Sequence, residues 1–485
     1  MDKERMKCLV QDSQAVSVHF PRIMIAAEKS GGGKTLFTCA LLSLLKERVQ
    51  AVRAFKCGPD YIDPMFHRTV LEIPSRNLDS FFADGDTLRY LLGREVLEME
   101  KFPESRIAVL EGVMGFYDGL GGVSERSSAW EVADLTDTPV ILLVDMKGRS
   151  LSALASIKGF LDYTEKSHVT GIVFNRLSPM LYPGLKERTE RELGIRVFGY
   201  VPELKDLTLE SRHLGLVMPE EILGIRERLD LIKEKVRAGI NLDGIIEESG
   251  RAAEIEVKLP EAVRQFCNVD CGTGVKKTVV AVAKDEAFCF YYEDNLDLLK
   301  KLGAEIQYFS PIHDRNLPEG TCAVYLGGGY PELHAKALSE NISMRNAIRQ
   351  AVMEEVPCIA ECGGYLYLKD SIVDPDGVEW PMTGVLPGSS RDTGKLGRFG
   401  YITVTSKKEG LLGPAGTEFR AHEFHHWDST ANGTDFTAVK TNGRSWACGF
   451  ANAHLYAGFP HLYWSGTPLP QRFVTAACRY IKEEP

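Results

Sequence analysis

Short apolar runs alternate with amphipathic stretches along most of the chain, and the spacing of the two predicts the fold. In the first half, Pro21–Ala26, Val49–Cys57, Arg106–Glu111, Thr138–Asp145 and Val169–Asn175 are rich in Val, Ile and Leu, and each ends in a turn. Continuous apolar runs of this length read as parallel strands covered on both faces. Stretches with helical spacing, such as Ser150–Tyr163 and Pro183–Leu193, lie between them. This βαβ alternation predicts a doubly wound parallel sheet, with ligands at the carboxyl ends of its strands.

The pattern lapses between about Ala238 and Gly274, where Gly, Glu and scattered charges replace apolar periodicity. It resumes at Lys277, with strands at Thr278–Ala283 and Ala304–Phe309 and a Leu-bearing helix at Tyr291–Leu302. The expected layout is a loose N-terminal extension over 1–20, a first α/β domain over 21–237, a linker over 238–276 and a second α/β domain over 277–475. A chain of 485 residues exceeds what one core holds, in keeping with that division.

Composition narrows the partners. Hydrophobic content of 44% and charged content of 26% are those of soluble globular protein. A net charge of −10 argues against nucleic acid or an anionic membrane surface as partner. No apolar run approaches a membrane span, and residues 1–20 carry charges where a secretory leader would be apolar. Eleven cysteines without paired spacing suggest free thiols in a reducing compartment, so a cytoplasmic protein is expected. Cys267 and Cys271 lie four apart, but no second pair follows at ligand spacing, so they too read as thiols.

The first strand runs into Ser30-Gly31-Gly32-Gly33-Lys34-Thr35 and then a helical pattern. Strand, glycine-rich turn and helix make a phosphate-binding loop, because backbone amides and the helix N-terminus converge on an anion. Lys34 is expected to reach the terminal phosphates and Thr35 to complete a Mg²⁺ shell. Glu28 stands where the usual loop has its first Gly, and Lys29 precedes Lys34 by five, as in variant loops. Asp60 and Asp63 follow the second strand, and Glu111 and Asp118 follow the third. Carboxylates at adjacent strand ends suit Mg²⁺, so these four are candidates for the reaction centre, with Thr35, Asp60 and Glu111 for the metal. Asn175, ending the strand Val169–Asn175, is a candidate reader of an adenine edge.

In the second half, Val356–Leu368 joins a strand to a helix through Glu361-Cys362-Gly363-Gly364, with Cys362 at the apex as in a nucleophile elbow. A helix N-terminus favours its thiolate. The amides of Gly363 and of one residue in Gly327–Gly329, taken as Gly328, are candidates for an oxyanion hole. Cys358, inside the strand, reads as core. For the base, Arg420–Trp427 is rich in histidine, His454 follows a small-residue turn, and His461 competes with it. Spacing alone does not choose.

Together Ser30–Thr35, Lys56-Cys-Gly-Pro-Asp-Tyr-Ile-Asp-Pro64, Glu111-Gly-Val-Met-Gly-Phe-Tyr-Asp-Gly119, Leu326-Gly-Gly-Gly-Tyr-Pro-Glu332, Glu361–Gly364 and Ala421-His-Glu-Phe-His425 form an ordered set. The set resembles the cobyrinate a,c-diamide synthase family of cobalamin biosynthesis, ATP-dependent glutamine amidotransferases acting on corrin precursors. The resemblance spans Pro21 to about Trp464. It implies a dethiobiotin-synthetase-like P-loop domain followed by a class I glutaminase-like domain. It implies ATP and glutamine as co-substrates, Mg²⁺ as cofactor and a tetrapyrrole as acceptor, and it leaves a homodimer open. Carried over, Cys362 matches the family nucleophile and His454 the histidine that activates it. Asp60, Asp63, Glu111 and Asp118 match the acidic residues of the synthetase centre. The family segment Tyr-Val-His-Leu-His-Phe reads here Asn452-Ala-His-Leu-Tyr-Ala457, keeping the first histidine. Alternatives of the same build are an enzyme amidating Ni-sirohydrochlorin and a cobyric acid synthase, the latter disfavoured by the Gly-Pro-Asp-Tyr-Ile-Asp motif. A P-loop switch of the partitioning-ATPase kind is suggested by Lys29 alone and leaves the second domain unexplained.

Overall fold

The computed structural model describes residues 15–99, 102, 105–204, 219–264 and 277–483. Cys267 and Cys271 lie outside the described residues. The chain forms two compact units that divide at Pro260/Glu261.

The first unit is built on a seven-stranded sheet, parallel throughout. Its spatial order is Ser75–Leu78, Ala51–Cys57, Arg106–Glu111, Arg22–Ala27, Val140–Asp145, Val169–Asn175 and Arg196–Val201. Arg22–Ala27 and Val140–Asp145 are buried at every position, which is why all but Arg22 and Asp145 in them are apolar. The helix Lys34–Lys46 lays Phe37, Leu41, Leu44 and Leu45 on one face of the sheet. The helix Pro219–Gly239 brings Leu229, Ile232 and Val236 into the same core at i, i+3 and i+7 spacing.

Two segments differ from expectation. Val16–Val18, expected in the loose extension, pairs antiparallel with Ile255–Val257, and Phe20 is wholly buried. The stretch expected as a linker therefore belongs in part to the first unit: it holds the helix Leu242–Ser249, with Ile245 buried, and the strand Ile255–Val257. Scattered charges hid these short elements: the helix turns Leu242, Ile245 and Ile246 toward the core, and the strand Ile255 and Val257.

The second unit has a six-stranded sheet ordered Ala304–Phe309, Thr278–Ala283, Thr321–Leu326, Cys358–Glu361, Leu455–Gly458 and Phe450–Ala451; only the last pairing is antiparallel. A five-stranded antiparallel sheet adds Ser445–Cys448, Phe436–Lys440, Arg398–Ser406, Glu418–His425 and His461–Leu462. Ile402 and Val404 point into the core there, while Thr403 and Thr405 do not, the period of two of a half-covered strand. The closing helix Leu469–Glu483 runs past the expected boundary at 475, where Ala477 is buried in the core and Ala476 and Cys478 pack against it. Among the described residues no helix is long and apolar enough to cross a membrane.

Candidate active sites

Lys34 and Thr35 open the first helix beyond Gly33, whose φ of 90° is left-handed. A Cβ on Gly33 would lie 2.4 Å from Asn175 Nδ2, so glycine is required there for space as well as for backbone. Asn175 Nδ2 donates to the Gly32 carbonyl at 2.9 Å, so in this structure the side chain pins the loop. The Lys34 ammonium donates to the carbonyls of Met114 and Lys29, and burial, followed by the charge of Lys56, lowers its pKa to about 8. Glu28 ties the loop sideways: its carboxylate accepts from Arg149 at 2.8 Å, Ser156 at 2.5 Å and the Asp145 amide at 3.2 Å. Lys29 pairs with Asp145 at 3.2 Å and is otherwise open to solvent.

Three strand ends meet beside the loop. Thr35 Oγ1 donates to Glu111 Oε1 at 2.8 Å and to Asp63 Oδ2 at 3.2 Å. Lys56 Nζ lies 2.5 Å from Asp63 Oδ2 and 2.7 Å from Glu111 Oε1. Burial pushes Glu111 up and Lys56 pulls it back, whereas the Lys56 cation outweighs burial at Asp63 and holds it ionised. Burial also raises Asp60, beside the Asp63 charge. Its Oδ1 caps the amides of Ile62 at 2.8 Å and Asp63 at 3.4 Å. Asp118 lies in an exposed turn and accepts from the Gly115 amide at 3.0 Å, while its charge acts on Lys34.

Glu111 Oε2 and His67 Nε2 are both buried, 3.7 Å apart and without hydrogen-bond partners. Burial lowers the His67 pKa to about 4, so this ring is neutral and leaves the second Glu111 oxygen uncompensated. The oxygens of Thr35 Oγ1, Glu111 Oε1 and Asp63 Oδ2, which meet beside the loop, make a hard, all-oxygen donor set that fits Mg²⁺. No group of three or more His, Cys, Asp or Glu among the described residues encloses a metal by itself.

In the second unit Cys362 sits at φ 49°, ψ −102°, between the strand Cys358–Glu361 and the helix Gly363–Tyr367. A non-glycine residue held at positive φ stores strain, as at a nucleophile elbow. Its amide donates to Gly458 at 2.8 Å, and the Gly363 amide is hydrogen-bonded to its sulfur. Burial, then the charges of Glu332 and Glu423, push the thiol far above its ordinary range. The loop Gly327–Gly329 closes over this turn: Gly364 donates to the Gly327 carbonyl at 2.8 Å, and a Cβ on Gly363 would lie 3.0 Å from the Gly329 amide.

The first region of the chain, residues 23–217, matches a family model for the CobQ/CobB/MinD/ParA nucleotide binding domain, and residues 279–468 match the CobB/CobQ-like glutamine amidotransferase domain. Over nearly its whole length the chain is similar to proteins named cobyrinate a,c-diamide synthase. That of Listeria innocua is 37% identical over 92% of this chain and 97% of its own. That of Thermoplasma volcanium is 36% identical over 96% and 98%, and that of Priestia megaterium 34% over 96% and 98%. The chain belongs to the cobyrinate a,c-diamide synthase family. It is an α/β protein with a nucleotide-binding P-loop domain and a glutamine amidotransferase domain.

Within this family member the expected pairing of Cys362 with His454 needs correction. Strand Leu455–Gly458 runs parallel to Cys358–Glu361 in the register Cys358↔Leu455 to Glu361↔Gly458. His454 thus precedes the strand, where its carbonyl accepts from the Cys358 amide at 2.7 Å, roughly 13 Å of strand away from the elbow. His461 comes after the same strand, at the elbow's end. A Cβ on Gly328 would lie 2.5 Å from its Cε1, so its ring borders the loop that covers Gly363. Burial, then the neighbouring His422 and His425, lower its pKa to about 3, so the ring is neutral. Glu361 fixes this segment by accepting from the Leu462 amide at 3.1 Å and from the Tyr325 hydroxyl at 3.0 Å.

Sequence reasoning confused the two histidines because His-Leu-Tyr occurs twice, at His454–Tyr456 and His461–Tyr463. The usable signal was position: one copy opens a strand and the other follows its carboxyl end, where reacting groups gather in open α/β sheets. Lys56 and His67 were also missed, although Lys56 begins the Lys-Cys-Gly-Pro-Asp motif.

Proposed function

We propose that this chain converts cobyrinate to cobyrinate a,c-diamide, using ATP to energise two peripheral carboxylates and glutamine, or ammonia, to supply nitrogen. The supporting observation is the coexistence, in one chain, of a phosphate loop facing clustered carboxylates and a strained, histidine-flanked cysteine. Family membership supports the choice of acceptor.

A carboxylate is a poor electrophile, so the a or c carboxylate oxygen first attacks the γ-phosphorus of ATP, giving an acyl phosphate and ADP. Lys34 turns from the Met114 carbonyl to the transferred phosphoryl group, where its charge opposes the negative charge gathering there. Thr35 and Glu111, with Asp63, would hold Mg²⁺, which supplies further charge neutralisation when bound. Lys56 keeps Asp63 and Glu111 together and limits their net negative charge beside the phosphates. Asp60 holds the turn that presents Asp63.

In the second unit the Cys362 thiol attacks the glutamine side-chain amide while neutral His461 takes its proton. The amides of Gly363 and Gly328 are the proposed donors to the oxyanion. His461 returns the proton to the departing nitrogen, releasing ammonia and leaving a thioester on Cys362. Water hydrolyses the thioester to glutamate and restores the thiol. Ammonia displaces phosphate from the acyl phosphate and loses a proton, giving the amide. The test is product analysis by mass spectrometry with ATP, glutamine and either the cobalt corrinoid or Ni-sirohydrochlorin. Two amidations of the cobalt substrate alone are expected, and preference for the nickel macrocycle would contradict the assignment.

A further inference from the structure

Glu332 is a carboxyl group that the chemistry above leaves without work. It ends the Gly327–Glu332 loop that covers the nucleophile, and the preceding Pro331 packs so closely that a Cβ on Gly363 would lie 3.0 Å from its Cδ. The residue is only 9% exposed, yet no cation among the described residues pairs with its side chain. Its own backbone amide donates to its carboxylate, and the nearby charge of Asp392 opposes its ionisation. Burial pushes its pKa up to about 7. Of the charged groups acting on the Cys362 thiol, Glu332 acts most strongly, and its negative charge makes the thiolate harder to form.

A buried carboxyl that lacks a counter-ion and hinders its own nucleophile is explained if the counter-ion arrives with the substrate. Glutamine carries one: with the side-chain amide at Cys362, two methylenes and the α-carbon separate the reacting carbon from a permanent ammonium. We infer that Glu332 binds the α-ammonium of glutamine and so selects the α-amino acid amide over other primary amides. This deepens the proposed glutaminase reaction and rests on it. Pairing also cancels the charge that burdens the thiol, so Cys362 gains nucleophilicity when the correct donor is seated. The step is binding only; no bond in the protein forms or breaks.

Hydrolysis of glutamine and of glutaramate, the same amide without the α-amino group, separates this role from a structural one. The unsubstituted protein should prefer glutamine, and Glu332→Gln should lower kcat/KM for glutamine by roughly 10- to 100-fold, the worth of a charge-assisted hydrogen bond. Glutaramate hydrolysis should fall far less, collapsing the preference. An equal fall for both substrates, or a retained preference, would overturn the assignment. A second measurement needs no variant: N-acetylglutamine, which lacks the ammonium charge, should be a poor substrate of the unsubstituted protein, and turnover equal to that of glutamine would overturn the role. Absence of any glutamine hydrolysis by the unsubstituted protein would instead remove the proposed function beneath it.

Discussion

The imidazole of His461 occupies space that only glycine at position 328 leaves open, with Cε1 2.5 Å from where a Cβ would stand. Gly328→Ala must therefore displace either the ring or the loop. Glutaminase kcat should drop by about 100-fold or more, in line with loss of a positioned general base, and His461→Ala should do the same. His454→Ala should leave glutamine turnover near that of the unsubstituted protein. Steady-state glutamate release checks all three, and an inactive His454→Ala beside an active His461→Ala would reverse the assignment.

Lys34 gives the synthetase half a pH signature. Its ammonium, lowered to about 8 by burial and Lys56, is charged below that pH and neutral above it. Only the charged form pairs with phosphate, so nucleotide affinity should weaken as pH rises through about 8, with close to one proton taken up on binding above it. Calorimetric titration in buffers of different ionisation enthalpy measures both quantities. A Kd independent of pH from 7 to 9 would argue that another group bears the phosphate.

Lys56 is buried between two carboxylates, so its removal strands their charge. Lys56→Met should destabilise the first unit by about 3–5 kcal/mol, the usual cost of breaking a buried ion pair from one side. Denaturant unfolding followed by a probe in that unit measures the loss. A change under about 1 kcal/mol would mean the cluster is solvated.

Asn175 distinguishes loop support from base reading. Because its amide donates to the Gly32 carbonyl, Asn175→Ala should weaken ATP and GTP binding alike. Loss confined to ATP would restore the expected adenine contact.

Much of this arrangement was legible in the sequence, for physical reasons that also mark where reading stopped. Strands such as Val140–Asp145 are covered on both faces, so burial writes itself into every residue. The glycine loops were visible because phosphate binding and a strained cysteine demand particular residues at particular spacings. The strands Val16–Val18 and Ile255–Val257 were not, since each turns just two side chains inward and their pairing joins segments far apart in sequence. His461 stayed ambiguous for a related reason: which His-Leu-Tyr lies at the elbow depends on the register of Leu455–Gly458 against Cys358–Glu361, a relation between distant segments. The orphaned Glu111 oxygen, too, exists only once three strand ends are brought together.

The two-centre reading is tested most directly by Cys362→Ala, assayed for cobyrinate a,c-diamide by mass spectrometry with ATP and either glutamine or ammonium salt as nitrogen source. Amidation from glutamine should be abolished while amidation from ammonia persists. Diamide formed from glutamine by this variant, or loss of both reactions in a folded protein, would contradict the division of labour.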